Sequence, residues 1–498
     1  NLSSSFEIRL LRDLLGGKKG DDGFFFAAIA GKSLGTFDLF YDPQARDQIT
    51  LGKISSQTGR THYDFWVHFP GRSFREEKRQ VPGPEFQITN YQIQSRIQED
   101  LRLQAETSIQ ISLTHPLSVL AFDLSQQMNV MSASIDGVAA KVYRKESLRA
   151  SLIRGDQNEM FLLVPSQPIQ PGVHQVVIHH EGNVIGDAGN GVYYVASRVN
   201  WYPQRGNHFA DYDLIFGLPR RLDLVASGEL ISERIEAEEK IVHRKSTSPI
   251  RFAGFNLGDY IKSSATSHDL QVDLYANRNL EKALEKSSGK AEFTRPGAGH
   301  ISSMAQEIAD YYSWLSSRLG PPPQRVLSVS PIPGQFGQGF AGLLYLSTLS
   351  YLGLPEGLSR EMQMYYSGLL YSHETAHQWW GNSVTSPHYA DDWLQEALAN
   401  YLALMALERK GGTEPLKELL EEFRHRLLQE ESDGNLIDSI GPVTFGVRLQ
   451  NSKSPTAWRT IVYDKGTWII HMLRKRMGDE LFWNLLTDLS SRYRRQTL

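Results

Sequence analysis

The first half of the chain alternates. Runs such as ITLG from Ile49, HYDFWVHF from His62 and SIQISL from Ser108 put apolar side chains at every second position. Gly, Pro and Asn punctuate them. Similar runs begin at Phe161, Gln175, Asp213 and Leu222. A period of two predicts strands with one buried face. The apolar run from Phe24 to Ala30 predicts a buried strand, because a membrane helix needs about 20 such residues.

From about Asn277 the period lengthens towards 3.6, which predicts helices. One covers 301–318 and stops at Gly320 and three prolines. A second covers 359–380 and ends at Gly381 and Asn382. A third runs from Asp392 to Lys410, before Gly411 and Gly412. Thr413 is expected to cap the next helix, with Pro415 in its first turn. Two more helical segments follow Tyr463 and Asp479. Strands followed by helices predict a multi-domain α+β protein.

The chain has 498 residues, and about 150 residues per domain suggests roughly three domains. A Pro- and Gly-rich stretch from Gln80 to Pro84 marks a boundary near residue 85, and a second follows Tyr260. The expected units are therefore a β-rich extension over 1–85, of unknown role, a β domain over 86–263, and a mostly helical domain over 264–498. No internal repeat or low-complexity segment interrupts them.

Charge and cysteine content narrow the chemistry. Lys plus Arg number 52 and Asp plus Glu 56, a net charge of -4. That balance argues against a nucleic-acid partner, and no apolar run is long enough for a transmembrane segment. There are no cysteines, which excludes a disulfide scaffold, thiol catalysis and Cys-ligated zinc. It also suits an extracytoplasmic, oxidising setting without requiring one. The chain opens on Asn1 without a basic and apolar leader, as expected of a processed chain or a piece of a longer one. Oligomeric state has no signature.

Chemistry is concentrated in the run HETAH, which spans His373 to His377 inside the second helix. Histidines four apart share a helix face, so both imidazoles can reach one metal ion, with Glu374 beside them. A catalytic zinc takes three protein ligands. Glu396 follows His377 after eighteen residues, on the next long helix, and can complete the set. His179 and His180 sit in a strand-like run without partner ligands, as structural histidines do, and Trp379, Trp380 and Trp393 suit core packing.

The stretch from His373 to Leu402 resembles the zinc site of the aminopeptidase N and leukotriene hydrolase family of gluzincin metallopeptidases. The match includes His377, Gln378 and Trp379, and the Trp393 to Glu396 segment. Tyr463, in VYDKG, is similar to the family's catalytic tyrosine segment. The run NWYP from Asn200 and DLIFGLP from Asp213 resemble the end of its β-saddle domain. The resemblance covers about 86–498 and implies a β-saddle domain followed by a thermolysin-like catalytic domain. It implies one zinc ion on His373, His377 and Glu396, Glu374 as general base, and Tyr463 as oxyanion donor. The implied substrate is a peptide, cleaved from its amino terminus. Related alternatives are a zinc hydrolase acting on internal or blocked bonds, and a non-catalytic zinc-stabilised scaffold, which would need neither Glu374 nor Tyr463.

Two departures stand out. The family's Gly-x-Met-Glu-Asn motif, whose Glu holds the substrate amine, corresponds here to the Glu-free run from Gly334 to Tyr345. Its Gly339, Phe340, Ala341 and Gly342 are expected to bind substrate backbone. Amine recognition then falls to another acid (Glu356, Glu361, Asp391 or Asp392), or the enzyme accepts blocked or internal bonds, or the site is degenerate. Members of the family usually continue into a large helical domain that closes the cleft, and this sequence ends before it.

Overall fold

The computed structural model describes residues 6–17, 23–57, 60–76, 84–144, 158–196, 198–206, 208–287, 298–352, 358–431 and 434–497. Most of the expected linker and Glu356 fall outside them.

Strands 87–97 and 103–113 bury every second residue, as their alternation predicts. They lie within an eight-stranded sheet, ordered 229–236, 239–245, 211–219, 87–97, 103–113, 172–182, 128–135 and 138–139. All its pairs are antiparallel except 211–219 with 87–97. The buried face packs around Trp201, whose Nε1 donates to the Ala253 carbonyl at 2.9 Å. Tyr91 stacks on Tyr212 at 4.8 Å.

A second sheet of five strands is ordered 260–267, 270–277, 326–332, 343–347 and 338–340. The expected division at residue 263 falls inside its first strand, which pairs along its full length, Tyr260 with Asn277 to Ser267 with Leu270. Backbone pairing therefore puts 260–263 with the helical domain. Short strand 338–340 sits at the edge of this sheet, paired to 343–347. Helix Ala298–Leu319 packs on the strands through Ile301, Ala305, Ile308 and Leu315.

The helix expected over 359–380 is a composite. An α-helical turn at Arg360–Met364 passes into a π-helical turn at Tyr365–Leu369, then into α-helix at Leu370–Ala376. It ends at Ala376 because Asn382, Ser383 and Val384 turn back and bond to the carbonyls of His377 and Trp379. Helix Thr413–Leu427 starts from Gly412, so Thr413 lies in its first turn and is not its cap. Asp391 occupies the cap position of helix Asp392–Gly411 but makes no side-chain capping bond.

The extension contains a helix the strand pattern did not show, Phe6–Leu15. Its Ile8 packs on Val119, Ala121, Met160 and Leu162 of the first β domain. The expected buried strand at 24–30 is Phe25–Gly31, with Phe25 exposed, because this four-stranded meander (25–31, 35–41, 49–57, 60–69) covers only one face. The meander also reaches the helical half. Asp64 accepts bonds from Ser452 N at 2.7 Å and Ser452 Oγ at 2.6 Å. Arg448 donates to the His68 carbonyl at 3.1 Å, and Tyr389 to Asp47.

His180 is buried, with Nε2 2.9 Å from Thr107 Oγ1. Burial pushes its pKa down to about 3, against about 6.5 in an unfolded chain. Below pH ~6.5 the unfolded state gains a proton that the native state refuses, so His180 erodes stability as pH falls towards 3. Between pH 7 and 5 the wild type should lose about 2 kcal/mol more than His180→Gln in urea denaturation. A pH-independent difference would mean that native His180 takes up its proton as readily as the unfolded chain does.

Candidate metal centre

Helix Leu370–Ala376 and the residue after it present His373 and His377 to the first turns of helix Asp392–Gly411, where Glu396 sits. The two imidazole Nε2 atoms are 3.0 Å apart. Glu396 Oε2 lies 3.4 Å from each and has no hydrogen-bond partner. Among the described residues this is the group of three ligand-type side chains that could hold a metal ion, with its ligand atoms within 4.8 Å of one another. His377 Nδ1 donates to the Trp380 carbonyl at 2.7 Å, which leaves its Nε2 lone pair facing Glu396.

The electrostatics call for a cation. Burial pushes the Glu396 carboxyl up, but the adjacent imidazoles outweigh it and hold the group well below the usual range. Burial works against protonated His377 as well, yet Glu396 outweighs it and raises the pKa to about 9. Two nitrogen lone pairs and a partnerless buried carboxylate oxygen suit one zinc ion in type and number.

Glu374 points beside this group. Burial pushes its carboxyl up to about 8. The Gly339 backbone N–H bonds to it, and Gly337 crosses directly over it. A Cβ at Gly337 would stand 2.7 Å from Glu374 Oε1, and one at Gly339 would stand 2.8 Å from the Glu374 carbonyl oxygen. Strand 338–340 thus runs closer to the metal-site helix than a side chain would permit, which is the physical reason no Glu stands there. Gln378 holds it: Nε2 donates to the Phe340 carbonyl at 2.6 Å and Oε1 accepts from Gly342 N at 2.8 Å. Asn382 adds a bond to the Gly339 carbonyl at 2.9 Å.

Of the four residues expected to bind substrate backbone, Gly339 and Phe340 line the cleft of ≈ 1100 Å³ over the centre. Ala341 and Gly342 do not. Ala341 is packed in the core of the first β domain, and Gly342 makes the turn behind the strand with φ 72°. Gln335, Phe336, Gly337 and Gln338 line the cleft instead. The glycine spacing marked this stretch, but strand direction decides which residues face outward.

Tyr463 stacks on His373 with ring centroids 5.7 Å apart. Burial, then the Glu396 charge, hold its phenol well above the ordinary range, so it stays protonated. It sits in a π-helical turn, Thr460–Lys465. Such turns recur at functional sites, where they reorient a side chain. The neighbouring Asp464 is fixed by Arg426, Nε to Oδ2 at 2.8 Å and Nη2 to Oδ1 at 3.0 Å. Arg426 also pairs with Glu361, at the start of the segment leading to His373. One guanidinium so ties the Tyr463 segment to the histidine segment, a link no local pattern reveals. Glu361 is thereby committed. Asp391 faces Arg46 at 3.9 Å, and Asp392 accepts from Ser386 at 2.6 Å.

The α+β frame thus brings His373 and His377 of one helical segment and Glu396 of the next long helix into one group that could hold a metal ion. Residues 345–498 match the Peptidase family M1 domain. Aminopeptidase N of Lactococcus lactis subsp. lactis is 33% identical over 115 residues, 23% of this chain and 13% of that protein. Endoplasmic reticulum aminopeptidase 2 of Homo sapiens is 28% identical over 145 residues, 28% of this chain and 14% of that protein. The matched stretch is thus a small fraction of these relatives' length. The M1 zinc metallopeptidase from Deinococcus radiodurans superposes with a TM-score of 0.58 at 17% identity, over 84% of this chain and 89% of that one, a likeness of fold. The likeness to the M1 family thus lies in residues 345–498.

Two substitutions test the supports. Arg426→Leu strands the buried Asp464 carboxylate and should cost about 2–4 kcal/mol in denaturant unfolding. Gly339→Ala should cost about 1–3 kcal/mol by overpacking against the Glu374 backbone. Wild-type stability in Gly339→Ala would show that the strand has room to move.

Proposed function

We propose that the protein is a zinc-dependent metallopeptidase that releases residues from the amino terminus of peptides. The observation that carries this is the convergence, in one cleft, of His373, His377 and Glu396 with Glu374 and Tyr463. The M1 match over 345–498 supports it.

His373, His377 and Glu396 would hold a zinc ion, which would supply Lewis acidity for polarising a carbonyl and for activating water near neutral pH. The residues do the rest. Glu374 takes the proton of the attacking water and hands it to the leaving amine; burial raises its pKa towards the working range of such a proton carrier. Tyr463, kept protonated, donates to the oxygen that gains charge from the scissile carbonyl. A scaffold that merely retained zinc would need neither a buried general base nor an oxyanion donor.

Glu374→Gln should keep about one zinc per chain by metal analysis. On a panel of aminoacyl reporter amides it should lose about 10²–10⁴ in kcat. Tyr463→Phe should lose about 10²–10³ with KM little changed. Chelation should abolish turnover and zinc restore it. Undiminished turnover in Glu374→Gln would remove it as general base.

A further inference from the structure

Outside the metal centre and Glu374, six charged side chains line the cleft: Arg198, Arg251, Glu361, Arg426, Arg459 and Asp464. Arg426 occupies both acids. Arg251 donates to the Gly381 carbonyl at 2.7 Å. Arg198 and Arg459 remain, and neither forms an ion pair with a carboxylate among the described residues.

They come from opposite parts of the fold. Arg198 follows strand Tyr193–Val195 of the first β domain, and its carbonyl is pinned by Asn158 Nδ2 at 2.8 Å. It lines the same cleft as Glu374 and Tyr463. Arg459 ends the short helix Ala457–Arg459, one turn before Tyr463, and reaches the Tyr365 hydroxyl. Both guanidiniums line the cleft that holds the reacting centre.

Gly337 and Gly339 leave no room for an acidic side chain at those two positions, because Cβ atoms there would collide with Glu374. A substrate carboxylate in the cleft therefore meets two guanidiniums that no carboxylate of the described residues pairs with, and their planar forks suit it.

We propose that Arg198 and Arg459 are specificity-determining residues that select peptides with a carboxylate within one residue of the cleaved bond. This rests on the peptidase reading above. The carboxylate is either an acidic side chain or the free carboxyl terminus of a dipeptide.

Two substrate pairs separate these sources: glutamyl against glutaminyl reporter amide, and the dipeptide Ala-Ala against its carboxamide. In the wild type at least one pair should favour the anion by tenfold or more in kcat/KM. That preference should fall to within about threefold in Arg198→Gln or Arg459→Gln, with partial recovery in the Lys variants. In the unmodified protein it should also shrink as salt rises, as an exposed charge pair must. Parity in both wild-type pairs, or a preference unchanged in both Gln variants, overturns the inference. Turnover of neutral substrates without any anion preference would sink it and leave the peptidase reading intact. Failure of the zinc-loaded protein to cleave any of the four would sink both.

Discussion

The site depends on an unfavourable burial. Glu396 is drawn out of water to face two imidazole nitrogens at 3.4 Å, with no donor on its inner oxygen. A carboxylate and two lone pairs so placed repel one another unless positive charge sits among them. In the protein alone, a proton on His377 supplies it; a dication supplies it better. The surrounding structure holds these three groups together against that repulsion.

Several supports share the work. His377 is oriented by the Trp380 carbonyl, and Gln378 and Asn382, just beyond it, fasten strand 338–340 over Glu374. Arg426 couples the segments that lead to His373 and Tyr463. The amino-terminal meander grips Ser452, Arg448 and Tyr389, which lie on loops either side of the Glu396 helix. The extension thus has a structural part in the helical half, beyond covering the first β domain.

The missing motif acid and the tight glycine strand are one feature. Gly337 and Gly339 let the backbone approach so closely that no side chain fits there. The approach puts a backbone N–H on Glu374 and leaves the charges of the cleft wall to the arginines. Both consequences follow from removing two Cβ atoms.

The sequence by itself determined the alternating strands, the change to helical period, and the identity of the metal group. A four-residue spacing on a helix forces His373 and His377 onto one face whatever surrounds them. The resemblance of the flanking residues then singled out Glu396 and Tyr463. What it left out depends on non-local contact. Residues 260–263 belong to the second sheet because a hairpin pairs them there, and Ala341 and Gly342 leave the cleft because the strand turns. The π-helical turns and the bridge through Arg426, which spans 65 residues to Glu361, have no local signature. Periodicity records which face of an element is buried; only tertiary packing decides which elements meet, and so which charges in the cleft are neutralised and which stay free.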